Sequence, residues 1–350
     1  MALFDFLTRG ADLATGRTLK PGLQSGLVEE TSLIHSLVAT DFYRGETDEL
    51  TRETALQVGG VKKGRSLIVG AIADAPLFAF RGTERLAVQP TWTYRTDVPG
   101  ATPWHTWSGV VDDLIFYDRS LLALRLGADG YPVDIARVRF DRWTSDADGT
   151  VRVDGEVVPP ESVMIVPGPG GGGLLQSGGP DIRAARALAR ARTARAVSPL
   201  PLIELHQVSD DQLDPDEVDA LVSDWAAARS STTGAVGFTD NRVEVRVHGD
   251  KTTDFFESAI NASRTDIANH LNIPAALLDG TPNTASLTYE TREGQAAVFW
   301  DTTVPYWTGP LEAALSSDRI VPRGQKVRFD FTAKRGPVPV PAINSPAAED

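Results

Sequence analysis

The sequence predicts an α+β subunit in which helices and short antiparallel strands occupy separate stretches of chain. Three observations carry this. Apolar residues recur at helical spacing in several segments. Between Leu121 and Val166, short β-rich runs are separated by Gly127-Ala-Asp-Gly130, Asp148-Gly149 and Asp154-Gly155, which supply the positive-φ residues that hairpin turns require. After Pro167-Gly-Pro-Gly-Gly-Gly-Gly173 the pattern changes to an Ala/Arg-rich helix.

Residues 1–50 lack sustained periodicity and are expected to form an irregular arm. From Val58 to Ala75 the residues Val61, Ile68 and Ile72 share one helical face, and Pro76 stops that helix. Leu77 to Phe80 reads as a strand. Trp104 to Tyr117 reads as a helix buried through Trp107, Val110, Val111, Leu114 and Ile115, with Asp112 and Asp113 expected to face away. The runs Leu121–Leu126, Val133–Phe140, Val151–Val153 and Val163–Val166 are expected to form one meander. The Gly-rich stretch is expected to be a flexible connector. It lacks the Gly-Lys-Ser/Thr ending of a phosphate loop and the strand–turn–helix setting of a dinucleotide fingerprint.

Asp181 to Ala196 is predicted as a helix carrying Arg183, Arg186 and Arg190 on one face. Leu202 to His206 is a short strand. Asp214-Pro-Asp-Glu217 combines an Asp N-cap, a first-turn Pro and a capping-box Glu, and opens a helix with Val218, Leu221, Val222 and Trp225 as its buried stripe. Val236, Phe238, Val243, Val245 and Val247 suggest one or two strands. Asp254 and Glu257 offer a second capping box before a helix buried through Phe256, Ile260, Ile267 and Leu271. A polar loop then leads to a helix over Glu290–Leu315 that Pro305 must kink or break. The tail alternates through Val327, Phe329 and Phe331, then becomes Pro-rich and acidic.

The chain holds 34 Lys and Arg against 47 Asp and Glu, a net charge of −13. Such a surface repels phosphate and argues against charge-driven wrapping of nucleic acid by the whole molecule. The absence of cysteine excludes disulfides, thiolate catalysis and Cys-ligated metal. The apolar patch at the start is broken by Asp5 and is too short for a secretory signal, and no run is apolar enough to span a bilayer, so a soluble protein is expected. The five histidines show no i, i+4 pair for a shared metal. Asp112 with Asp113, Asp210 with Asp211, and Asp214 with Asp216 are the carboxylate clusters that could hold magnesium or do acid–base work. A nuclease-type enzyme using Asp112 and Asp113 is therefore one reading. Asp214 and Glu217 already have capping duties. The arginine face of the Ala-rich helix could meet DNA phosphates or acidic interface partners, and the net charge favours the interface.

The order of features from Asn241 to Leu315 resembles that of portal proteins of tailed double-stranded DNA bacteriophages, HK97-like type. Ile267-Ala-Asn-His-Leu-Asn-Ile-Pro274 and Leu277-Leu278 precede a Ser286-Leu-Thr-Tyr289 loop and a Pro-bearing helix. Asp279 stands where the family pattern has glycine, and the short segment after the kinked helix leaves little room for a crown. The resemblance implies a wing over 51–180, stem helices over 181–198 and 251–273, a clip over 199–250, a tunnel loop and kinked helix over 274–316, and a wing strand with a short tail over 317–350. It implies a non-enzymatic ring, typically of twelve copies, at one capsid vertex of the virion, assembled in the host cytoplasm. Its implied partners are the major capsid protein, large terminase, head–tail adaptor and the DNA passing through, with no cofactor, metal or membrane. Asn283, Thr284, Ser286, Thr288 and Tyr289 would line the DNA channel. Arg183, Arg186, Arg190, Asp254 and Glu257 would lie in the stem and its interfaces. Asp210, Asp211, Asp216 and Asp219 would face clip partners. Another virion or tail component without a DNA channel is the remaining alternative.

Overall fold

The computed structural model describes residues 3, 4, 6, 49–197, 202–208, 214–230, 243–248, 257–278, 294 and 296–335. Most of the expected N-terminal arm, Val236, Phe238, Asp254 and Phe256 lie outside these residues. The chain divides into two units, one formed by Met1–Ala187 with Ser258–Asp350 and the other by Leu188–Glu257.

The larger unit opens with α1 (Arg52–Ala55) and α2 (Gly59–Ala73). Val61, Ile68 and Ile72 are each fully buried, as their spacing requires. β1 (Leu77–Arg81) follows and forms a hairpin with β2 (Glu84–Arg85). On its other edge β1 pairs antiparallel with β11 (Gln325–Phe329), Leu77 opposite Phe329. The late alternating segment therefore returns to the first described strand.

The helix α3 (Pro103–Tyr117) is buried on nearly all sides. Asp112 and Asp113 are 4% and 0% exposed, which corrects the expectation that they face away. The meander expectation is also corrected. β3 (Arg119–Leu126) is central to one sheet, flanked by β4 (Pro132–Val138) and β8 (Val163–Pro167). β5 (Trp143–Ser145), β6 (Val151–Val153) and β7 (Glu156–Val157) form a second sheet. The physical reason is visible in β3: Leu121, Leu122, Ala123 and Leu124 are all buried. Leu122 and Leu124 enter the main core, and Leu121 and Ala123 enter a second core with Trp143, Val151, Val153 and Phe4. A strand covered on both faces needs partners on both edges, and β8 supplies the second. The Asp154-Gly155 turn has φ of 50° and 85°, the two positive values that a type I′ hairpin needs.

The Gly-rich stretch is a folded clasp rather than a connector. Asp118 ends α3 with φ 59°, and its carboxylate accepts hydrogen bonds from the Gly170 and Gly172 amides at 3.0 and 3.2 Å. Gly170, Gly171 and Gly172 all have positive φ. A Cβ on Gly173 would fall 2.1 Å from the Phe116 carbonyl oxygen. The glycines do form an anion-binding nest, and the anion is the protein's own aspartate.

The short α4 (Leu174–Ser177) precedes α5 (Gly179–Val197), the predicted Ala/Arg helix. In the smaller unit β9 (Leu202–Gln207) pairs antiparallel with β10 (Val243–His248), and α6 (Pro215–Ser230) lies between them in sequence. The Asp214 amide donates to Glu217 at 3.2 Å, half of the predicted box. The predicted stripe on α6 is only partly buried within the chain: Leu221 and Trp225 are half-buried, and Val218 and Val222 are 40% and 54% exposed. Periodicity identified an apolar face, and both of its valines are exposed.

The chain re-enters the larger unit through α7 (Glu257–His270) and later forms a π-helical turn, Phe299–Thr303, continued by α8 (Val304–Leu315). The Val304 amide bonds to the Phe299 carbonyl, an i→i−5 bond just ahead of Pro305. The wide turn takes up the misfit of a residue with no N–H, so the helix is re-registered at the predicted proline. The β11 edge meets α8 through side chains. Glu312 accepts from the Phe329 amide at 2.9 Å, and Ser316 accepts from the Val327 amide at 2.9 Å. The short α9 (Thr332–Arg335) follows.

Two outcomes follow from this packing. A Cβ on Gly64 would lie 2.4 Å from Leu271 Cδ1 and 3.2 Å from Ile273 Cδ1. Gly64→Ala should therefore lower stability by about 1–3 kcal/mol, read as a reduced urea midpoint. Burial pushes the Glu312 carboxyl upward, against the Phe329 amide and Arg328. A raised folded value means that the native state holds the proton longer, so stability contributed by the protonated form is lost as pH rises through that value. Urea titrations of wild type and Glu312→Gln should show wild type losing ground to the variant as pH rises above the ordinary glutamate value of 4.5.

Candidate functional site

The proposed channel loop residues Asn283, Thr284, Ser286, Thr288 and Tyr289 lie outside the described residues, but the two anchors of the 279–293 stretch are defined. The first is the end of α7. Leu271 caps the helix and Asn272 follows with φ 53°. The Ile273 amide bonds to the Ala268 carbonyl at 2.9 Å and the Asn272 amide to the Asn269 carbonyl at 3.1 Å. This pair of bonds is a Schellman motif. Asn tolerates the left-handed position, and Pro274 prevents the helix from resuming. The sequence pattern Ile-Ala…Ile-Pro is thus a helix stop with a specified exit direction.

The exit is held by burial. Leu271, Ile273 and Leu278 are at most 5% exposed, and Leu271 and Ile273 converge on the surface left open by Gly64. Each such side chain contributes about 1.5–3 kcal/mol relative to exposure.

The second anchor is the π-turn and α8. Trp307 Nε1 donates to the Leu271 carbonyl at 3.0 Å across 36 residues. The Thr303 hydroxyl donates to the Asn272 carbonyl. These oxygens are the carbonyls that a helix terminus leaves without intrahelical partners. The segments that flank the stretch are therefore bonded to each other, through a buried contact at the Leu271 oxygen and a part-buried one at the Asn272 oxygen. Trp307 is core and clasp together.

Near the other end of α7, Glu257 is exposed. On α5, Arg183 and Arg190 are exposed and Arg186 is half-buried. The contact that sequence reasoning missed here is His270 Nε2 to Asp181 Oδ2 at 2.7 Å, joining the end of α7 to the first turn of α5. Two residues 89 positions apart leave no local signal. Asp216 and Asp219 on α6 are exposed; Asp210 and Asp211 lie outside the described residues.

Asp112 and Asp113 have structural partners. Arg52 Nε and Arg65 Nε donate to the two oxygens of Asp112, each at 2.6 Å. Arg137 forks onto Asp113 through Nε at 2.6 Å and a terminal nitrogen at 2.5 Å, and the Ser120 hydroxyl donates at 2.9 Å. Burial pushes the Asp113 carboxyl up, and the Arg137 charge opposes it. The Arg137 fork on Asp113, and one arginine on each oxygen of Asp112, use lone pairs that a metal or a substrate proton would need. Among the described residues, no group of three or more acidic or histidine side chains is arranged to hold a metal ion. The nuclease reading loses its two residues to the core.

A family model described as "Phage portal protein" matches residues 61–335. An HK97 family phage portal protein from Corynebacterium diphtheriae is similar to this chain at 29% identity and a TM-score of 0.67, over 82% of this chain and 97% of that one. A chain from the neck of an empty gene transfer agent particle, computed with C6 symmetry, matches at 17% identity and a TM-score of 0.57, over 82% of this chain and 86% of that one. A chain from the neck of the native particle, computed with C12 symmetry, matches at 16% identity and a TM-score of 0.55, over 84% and 88%. At these lower identities the likeness is one of fold. None of the curated proteins matches the sequence.

Asp113→Ala should cost about 3 kcal/mol, the low end for a broken buried pair because Arg137 keeps 25% of its side chain exposed. Trp307→Phe should keep the ring packing and lose about 1–2 kcal/mol through the unpaired Leu271 carbonyl. Chemical denaturation of both variants checks these values. If Asp112 and Asp113 were catalytic instead, Asp112→Ala would abolish a divalent-metal-dependent activity.

Proposed function

The chain belongs to the phage portal protein family, and on that premise we propose that twelve copies close into a ring at a single capsid vertex, with DNA crossing the ring on its axis. The chain is a portal subunit, a structural component of a phage-type particle. The observation that carries the finer reading is the clasp between Trp307 and Leu271. It fixes both roots of one polar stretch, 279–293, so that a ring would present one copy of that stretch per subunit in equivalent positions.

The chemistry of that stretch supports a conduit. Asn283, Thr284, Ser286, Thr288 and Tyr289 offer hydroxyls and amides, and the one cation within 279–293 is Arg292. Each cation that neutralises a phosphate adds salt-dependent affinity, which would retard a duplex in transit. A net charge of −13 per subunit repels the polyanion from the wall. The exposed Val218 and Val222 on α6 support burial against a neighbouring copy, since a heterologous ring covers at each interface what the protomer leaves open. Arg183, Arg186 and Arg190 would pair with acidic residues of neighbours, Asp254 and Glu257 among them. The acidic Asp210, Asp211, Asp216 and Asp219 would meet the terminase and the head–tail adaptor, and the larger unit would seat against the major capsid protein.

Purified protein imaged by electron microscopy should show rings with an axial bore wide enough for a duplex. Only monomers under every assembly condition would contradict the proposal. Duplex binding by the rings should be weak, and the logarithm of its affinity should fall with the logarithm of salt at a slope no steeper than about −1, the signature of about one phosphate contact. Fluorescence anisotropy of a labelled duplex between 50 and 200 mM salt measures that slope.

A further inference from the structure

Two faces of the larger unit carry opposite charge. The first is the outer face of the β11-β1-β2 sheet, where Phe78 and Phe80 are each half-buried. Pairing sets Arg328 beside Phe78 and Lys326 beside Phe80 on β11, and Arg85 beside Phe80 on β2. The Arg85 guanidinium lies 3.1 Å from the centroid of the Phe78 ring, and none of these three cations makes a salt bridge among the described residues. Beyond β2 the chain walls a groove of about 430 Å³ lined by Phe78, Arg85, Val88 and Tyr94, and Val88 is 85% exposed. The wall is fixed in place, because the Gln89 side chain accepts from the Ala79 amide at 2.7 Å and donates to the Leu86 carbonyl at 2.6 Å. The acids near this face are Glu84, opposite Arg81, and Asp330.

The second face closes the same stack of layers at its far end. Leu77, Ala79, Val327 and Phe329, on the inner side of the β11-β1-β2 sheet, belong to the main core, which continues through α2, α3 and α8 to Leu122 and Leu124 of β3. Leu121 and Ala123, on the other side of β3, belong to the second core, which Trp143, Val151 and Val153 of the β5-β6-β7 sheet close. Residues 141–161, which form that sheet, hold six acids against two arginines. Both arginines are taken, Arg152 by Asp146 and Arg142 by Asp154. Glu156 and Glu161 are exposed and make no salt bridge among the described residues, and Val157 beside them is 57% exposed. Resting on the ring reading above, we propose that the β6–β7 hairpin of one copy docks on the outer β11-β1-β2 face of the next. Val157 enters the groove beside Val88, and Glu156 and Glu161 meet Arg85, Arg328 and Lys326. A closed ring is built from a head-to-tail contact between two different patches, and patches at opposite ends of one unit meet that need. Like charges keep each patch from pairing with its own copy, so the contact has one polarity. The valine supplies an apolar centre and the charges a polar rim.

The chain has no cysteine, so introduced cysteines can report the contact in the full chain. Under oxidising conditions Val88→Cys with Val157→Cys should run on a non-reducing gel as a ladder extending beyond the dimer, because each copy is bonded to both neighbours. Either cysteine alone should give no ladder, since a head-to-tail contact never brings one position against itself. Adding Arg85→Glu to the pair should slow the ladder severalfold, and adding Glu156→Arg as well should restore it, a rescue that a misfolded variant would not show. Rings in electron micrographs that yield no ladder would overturn this contact and leave the ring reading standing, whereas protein that stays monomeric would overturn both. Dimers formed as fast by one cysteine alone as by the pair would also overturn it, because they mark a contact between identical patches.

Discussion

The larger unit depends on how one helix ends. A helix terminus buried without partners for its last carbonyls is expensive, because each unsatisfied oxygen costs about 1–3 kcal/mol. Here α7 ends at the buried Leu271, whose carbonyl is met by Trp307, and the next carbonyl, at the exposed Asn272, is met by Thr303. The donors come from the segment that follows the 279–293 stretch, so closing the helix and closing the loop are one event. The π-turn ahead of Pro305 belongs to the same arrangement. Thr303 is its last residue, and re-registering the helix there sets where Thr303 and Trp307 point.

From this clasp the rest of the unit is tied in. Leu271 and Ile273 rest against α2 at Gly64. On α8, Glu312 and Ser316 hold the free edge of β11, which pairs with β1. His270 reaches Asp181 at the first turn of α5. The anchors of the loop, the first turn of the Ala/Arg helix and the β11 sheet are therefore linked through short hydrogen bonds and buried side chains.

What could be read from the sequence divides by range. Val61, Ile68 and Ile72, the Asp154-Gly155 turn and the box at Asp214 act within a few residues, and their outcomes were legible. The portal resemblance rested on the order of features from Asn241 to Leu315, and the family match bears it out. The physical content of Ile273-Pro274 was not legible, since the Schellman motif becomes a clasp only when Trp307 arrives. Asp112 and Asp113 were misplaced because helical periodicity assigns carboxylates to solvent, and the guanidiniums that compensate their burial come from residues 47, 60 and 24 positions away. The Gly-rich stretch was misread for the same reason, its partner Asp118 lying 52 residues earlier. On α6 the apolar face was found correctly and the burial of Val218 and Val222 was not, because periodicity shows which residues share a face and not what covers it.

Native-state hydrogen exchange at the amides of Asn272 and Ile273 tests the clasp most directly. If the helix end and the loop roots form one cooperative element with the core, these two amides exchange only with an opening energy close to that of the whole larger unit. Exchange several kcal/mol easier than the amides of the buried stretch of α3 would mean that the helix end frays on its own, and that Trp307 and Thr303 do not fix the loop.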